Sequence, residues 1–206
     1  FFVCNLLILR VMKNTILASL SLVILAMGLW SFSNSSNSTQ TKPSELIEKK
    51  TAEIEWLSIE EAMKRQKNDP KFIIIDIYTD WCGWCKKMDA STFKDEFVIE
   101  EINKNFYAVK LDAESKEDIE FEGKTYKFVE SGRRGYHELA GALLQGKMSY
   151  PSFAYLSNET QYIQALAGFK SAQDIHMILQ FFSSRSYKDS TWESFQTSYQ
   201  SPYPGE

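Results

Sequence analysis

Residues 72–87 read FIIIDIYTDWCGWCKK, and no other stretch constrains the fold of this chain as strongly. Ile73, Ile74, Ile75 and Ile77 make a β-branched run of strand length, the pattern of a strand covered on both faces. After Tyr78 the composition switches, and Cys82 to Ala90 reads as the opening turns of a helix. A strand, a short loop and Cys-x-x-Cys at a helix start have a chemical consequence. The unpaired N–H groups and partial positive charge of a helix N-terminus favour a thiolate over a thiol. Such placement lowers a cysteine pKa well below its ordinary value. Cys82 is therefore the expected nucleophile. Cys85, one helical turn on, is close enough to close a small disulfide ring and to resolve a mixed disulfide.

Two other readings of the pair are open. Cys-x-x-Cys is half of a zinc site, but zinc needs two further ligands. The only histidines, His137 and His176, fall on separate predicted helices, and the third cysteine, Cys4, lies outside the expected domain. A passive structural disulfide is the other alternative, and the helix-start context argues against it.

Further residues around this segment carry a resemblance. Asp76, Trp81, Cys82, Gly83, Trp84 and Cys85 together resemble the active-site segment of thioredoxin-fold proteins. The resemblance implies that Asp76, six positions before Cys82, is the buried carboxylate that helps move protons. Burial would raise its pKa and let it accept the proton of Cys85 near neutral pH. Lys110 aligns with the lysine near that acid. Tyr150-Pro151-Ser152 is similar to the cis-proline segment that faces the active site in this fold. Pro151 is then expected to be cis, with the backbone of Tyr150 offered to an incoming peptide as an added strand. Gly168 is expected to permit a close backbone approach nearby. Trp84 stands where thioredoxin has proline, and Trp-Cys-Gly-Trp-Cys-Lys-Lys looks more like exported bacterial thioredoxin-like proteins than like cytosolic thioredoxin. Trp81 is expected to pack beside the site, with Gly83 and Trp84 in an apolar substrate surface. Lys86 and Lys87 are expected to be solvated, and both histidines to be structural.

The implied fold is α/β: a central mixed sheet with helices on both faces, over about residues 51–182, with an insert at 113–147 before the cis-proline strand. Ser58-x-x-Glu61 predicts a helix through about Lys67. Asp95 is expected to cap a helix with apolar positions Phe97, Val98, Ile102 and Phe106 helically spaced, and Asn103 to Asn105 to mark its exit. Tyr107 to Asp112 is the next predicted strand. The insert is expected to hold a hairpin around Gly123, a basic turn at Ser131–Gly135 and a helix from Tyr136 to Gln145. Ser152–Leu156 and Tyr162–Leu166 read as an antiparallel pair, and Ser171-x-x-Asp174 caps a last helix through Phe182. Residues 183–206 are polar with scattered aromatics, expected to hold one short helix and then fray.

Upstream, Met12-Lys13-Asn14 followed by apolar Thr15 to Trp30 has the form of a signal sequence, with translation expected to start at Met12. An uncleaved anchor through residues 12–32 is the alternative, although the run is slightly short of the ~20 residues that span a bilayer comfortably. Residues 1–33 are thus read as signal or anchor and 34–50 as a polar linker, which places the domain in the periplasm or otherwise outside the cytoplasm. A net charge of −4 gives no footprint for nucleic acid. Hydrophobic residues at 44% are enough for a packed core.

The function implied by the resemblance is thiol–disulfide oxidoreduction of protein or small-molecule disulfides. It calls for no cofactor beyond the two sulfurs and no metal. The reducing direction is favoured because the Asp76 and Lys110 pattern is the thioredoxin one, and it would require a membrane thiol–disulfide electron donor. The alternatives are a binding or chaperone-like module on the same fold, and a disulfide isomerase or oxidase.

Overall fold

The computed structural model describes residues 53–204. The expectations for the signal, the linker and Cys4 lie outside them. A central five-stranded sheet has the order β1-β3-β2-β8-β9, from β1 (Trp56–Leu57), β2 (Phe72–Tyr78), β3 (Phe106–Asp112), β8 (Ser152–Leu156) and β9 (Tyr162–Ala167). β1 and β2 run parallel to β3, while β8 runs antiparallel to both β2 and β9. The sheet is therefore mixed, as expected of the thioredoxin-like fold. β1 was not foreseen, since two residues carry too little periodicity to be read as a strand.

β2 is central, and its alternation divides the core in two. Ile73, Ile75 and Ile77 face α1 (Ile59–Gln66) and α4 (Glu138–Leu143), meeting Ile59, Ala62, Leu139 and Leu143. Phe72 and Ile74 face α2 (Gly83–Ala90), α3 (Glu96–Asn105) and α5 (Ala172–Ser183), among Met88, Val98, Ile102, Ile175 and Leu179. Each fully buried isoleucine contributes about 1.5–3 kcal/mol, so β2 is a major anchor of the domain. By the two-residue period, Asp76 stands on the same side as Ile74, beneath α2.

The helix starts follow the sequence. Ser58 accepts from Glu61 N, Asp95 from Phe97 N and Val98 N, and Ser171 forms a reciprocal capping box with Asp174. Helix α3 ends at Asn105, within its expected exit. Phe106 does not extend the helical stripe but opens β3, because it pairs with Phe72 in the sheet. Helix α5 ends at Ser183, within a residue of its expected end.

The insert departs from expectation in its second half. Its hairpin, β4 (Ile119–Phe121) with β5 (Lys124–Tyr126), turns at Gly123 as expected. Residues 136–137, expected to start a helix, instead form β7 (Tyr136–His137), paired with β6 (Phe128–Val129). Helix α4 begins only at Glu138, where His137 Nδ1 accepts from Leu139 N. That helix ends at Leu143, short of Gln145.

The C-terminal segment does not fray. It forms α6 (Ser186–Asp189) and α7 (Trp192–Ser198). Trp192 and Phe195 pack on Phe181 with ring centroids 5.3 and 5.1 Å apart, and the Tyr203 hydroxyl donates to Asp95 at 2.7 Å. The packed unit therefore runs through Tyr203 rather than ending near Phe182. Spaced aromatics in a polar tail find this surface only once α5 exists.

Candidate active site

Cys82 is the N-cap of α2, held by a bond from its N–H to Thr79 O at 3.0 Å. It is joined to Cys85 by a disulfide with S–S 2.04 Å and Cα–Cα 5.3 Å. Cys82 Sγ also accepts from Cys85 N at 3.1 Å, so the first sulfur occupies the position where a helix start offers N–H groups to an anion. Both cysteines are almost covered, at 4% and 3% exposure. The flanking Trp81 and Trp84 are 53% and 56% exposed. Among the described residues they are, with Tyr162, the large hydrophobic side chains left exposed.

Below the cysteines lies a charged group in an apolar setting. Asp76 is 2% exposed, and its Oδ2 accepts from Lys110 Nζ at 2.6 Å. Lys110 also donates to Asp89 Oδ1 and lies over the rings of Trp56 and Tyr78. Asp76 Oδ1 is buried without a hydrogen-bond partner. Burial raises the Asp76 pKa to about 6, although the Lys110 ammonium pulls the other way. Burial tends to lower that of Lys110, but Asp76 and Asp89 more than offset this and hold it raised. The result is a carboxylate that titrates close to neutrality and has one oxygen free to take a proton. The Tyr155 hydroxyl, fully buried and unpartnered, has its pKa pushed up by the same apolar surroundings and by the Asp76 charge.

The Tyr150–Pro151 bond is cis. Pro151 O accepts from Gly168 N at 2.8 Å. Gly168 has φ +89°, but a Cβ there would meet only Lys170 Nζ at 3.9 Å. Its φ is one that glycine adopts without strain, and its backbone lies directly against that of Pro151. Phe169, next along, packs on Trp84 at 5.3 Å, and Lys87 lies over both rings. Lys87 is exposed, as expected, and also lies over these rings. Trp81 meets the Tyr150 ring edge-on at 5.9 Å and donates to Glu114 Oε1 at 3.1 Å, while the Arg134 guanidinium sits 4.4 Å from its ring centroid. A Cβ on Gly83 would meet nothing within 4 Å, which leaves the cysteine loop open at that point.

Tertiary contacts therefore gather Trp81, the two cysteines, Trp84, Tyr150 and the Pro151–Gly168 pair, with Asp76 and Lys110 on the strands beneath. Sequence reasoning missed Asp89, Glu114, Arg134 and Phe169. Asp89 could have been suspected from its place one turn beyond Cys85, but the others have no signature of their own. Among the described residues, no group of three or more His, Cys, Asp or Glu could hold a metal ion. His137 uses both ring nitrogens on backbone groups of Leu139 and Glu117, and His176 Nδ1 meets the Tyr199 hydroxyl.

Residues 36–191 match the sequence profile of the family described as Thioredox_DsbH, Protein of unknown function, DUF255. The chain belongs to this family. An uncharacterized protein of Caenorhabditis elegans is 28% identical over 98 residues, covering 47% of this chain and 13% of that protein. The thiol:disulfide interchange protein DsbD of Vibrio vulnificus (strain CMCP6) is 33% identical over 97 residues, 46% of this chain and 15% of its own length. The chain thus spans less than a sixth of either relative. A solved structure named DsbH Oxidoreductase is 21% identical, with a TM-score of 0.41 over 66% of this chain and 84% of that one. Among the described residues no helix is long and apolar enough to cross a membrane.

Proposed function

We propose that this protein is an exported thiol–disulfide oxidoreductase that reduces protein disulfides through Cys82 and Cys85. The carrying observation is the Cys82–Cys85 disulfide at the start of α2 above the buried Asp76 and its ion pair with Lys110. Membership of the Thioredox_DsbH family and the match to a thiol:disulfide interchange protein support the same class of chemistry. Export rests on the composition of residues 12–33, read as signal or anchor, and on the polar linker 34–50.

In the reduced protein the Cys82 thiolate attacks one sulfur of a substrate disulfide. A Cys82–substrate disulfide forms, the substrate S–S bond breaks, and one substrate thiolate leaves. The Cys85 thiol then gives its proton to Asp76 and attacks Cys82 Sγ. The Cys82–Cys85 bond closes and the second substrate thiolate departs. Two electrons have passed to the substrate, whose thiolates take up protons, and an external dithiol donor must reopen the bond. Tyr150, whose ring meets Trp81 at 5.9 Å, would offer its backbone beside the site to an extended substrate strand.

The test is the Cys82–Cys85 reduction potential of the full chain, equilibrated against glutathione. The reductase reading expects a value near about −270 mV, where thioredoxin lies. A value near about −120 mV would make the protein an oxidant and reverse the direction. Inability to cycle the bond at all would leave a binding module.

A further inference from the structure

The turn between β6 and β7 lies outside the strand–helix framework that carries the cysteines, yet it delivers a side chain to the cysteine loop. Arg134 stacks on Trp81 with its guanidinium 4.4 Å from the ring centroid. On the same indole, Glu114 takes the N–H at 3.1 Å, and Arg134 reaches Glu114 at 3.9 Å. Trp81 is thus gripped by the end of β3, the insert turn and Tyr150 together.

The turn is built to hold that position. Gly135 has φ +77°, and a Cβ there would lie 2.5 Å from Val129 O and 2.4 Å from the Phe128 ring. Gly135 N donates to Ser131 O at 3.0 Å, which closes the turn. Its far side is fixed by His137 N on Ala113 O at 2.7 Å and Glu138 N on Lys127 O at 2.8 Å, with the His137 ring fully buried. Arg134 is therefore mounted on a bracket tied directly to the residue that follows β3.

We propose that Arg134 is a positioning residue, which sets the orientation of Trp81 as one wall of the substrate surface beside Cys82. This inference rests on the reductase reading and gives the 113–147 insert a task within it. A cation on an indole face at an exposed site is worth a small factor, so the effect belongs to substrate affinity rather than to the sulfur chemistry. It acts through Trp81 and makes no contact with the reacting sulfurs.

The experiment measures insulin reduction by the full chain with dithiothreitol as electron source, for wild type, Arg134→Ala, Arg134→Lys, Arg133→Ala, Trp81→Ala and the Arg134→Ala/Trp81→Ala pair. If wild type does not reduce insulin, the reductase reading itself fails. If it does, Arg134→Ala should raise KM roughly two- to fivefold with kcat held. Arg134→Lys should recover part of the loss, and Arg133→Ala, the exposed neighbour, should leave KM as it was. In the Trp81→Ala background, Arg134→Ala should add nothing. A KM unchanged in Arg134→Ala overturns the inference, as does an equal rise in Arg133→Ala or a full additive effect in the pair. Thermal melting of each variant separates a general loss of fold from these outcomes.

Discussion

Asp76 and Trp84 belong to one candidate site, yet Asp76 is 2% exposed and Trp84 56%. The buried half, Asp76 with Lys110 beneath the cysteines, is organised by cost. A carboxylate kept from water holds its proton more tightly, and its tolerance there depends on one ammonium. The open half, Trp81 and Trp84 with their stacked cations, is organised by opportunity. Apolar surface left in water is unfavourable until a partner covers it. The two halves should therefore fail differently: the buried one through rate and pH dependence, the open one through affinity.

The largest break would come at the disulfide itself. Cys85→Ser should leave Cys82 able to attack but unable to be displaced, so turnover falls to background and mixed disulfides with substrate accumulate. Mass spectrometry of the intact protein after mixing with an oxidised peptide would show the adduct. Its absence would remove the resolving role of Cys85.

Asp76→Asn probes the buried half alone. Wild-type turnover should climb as pH rises through about 6, where Asp76 ionises and can accept a proton. The variant should lack that limb and be slower by about a hundredfold at pH 7.5, within the range for a lost general base. An unchanged rate across pH 6–9 would remove the role. Stability should move the opposite way. The folded state holds the Asp76 proton more tightly than the unfolded chain, since the pKa rises from 3.8 to about 6. Wild-type stability therefore declines as pH rises from about 4 through about 6 and stays lower above. That rise is worth about 3 kcal/mol at about 1.36 kcal/mol per pH unit. Asp76→Asn should be more stable than wild type by up to that amount at pH 7.5, with the gap closing near pH 4 in denaturant melts.

Trp84→Ala sharpens the comparison from the open side and should have the smallest effect. Its loss should raise KM for a protein disulfide several-fold and leave the pH profile where Asp76 sets it. A displaced profile would mean that the two halves are coupled through Phe169 and Lys87, which pack on the Trp84 ring.

Elements whose signals are local follow from the amino-acid sequence alone. The isoleucine run of β2, the Cys-x-x-Cys at a helix start, the caps at Ser58, Asp95 and Ser171, and the hairpin at Gly123 are each specified within a few residues. The alternation of strands and helices then left few topologies, which is why the mixed sheet was legible. Local signals failed where a distant surface chose the outcome. Phe106 looks like one more helical apolar position and becomes a strand residue because Phe72 lies opposite. The tail looks polar and packs because α5 presents Phe181 and His176 to its aromatics. Asp89 joins Asp76 only through Lys110, and Arg134 meets Trp81 only because the β6–β7 turn is tied to the end of β3. Pattern and propensity reach along the chain for one or two turns. Contacts between residues distant along the chain are selected by packing, and only the folded structure decides them.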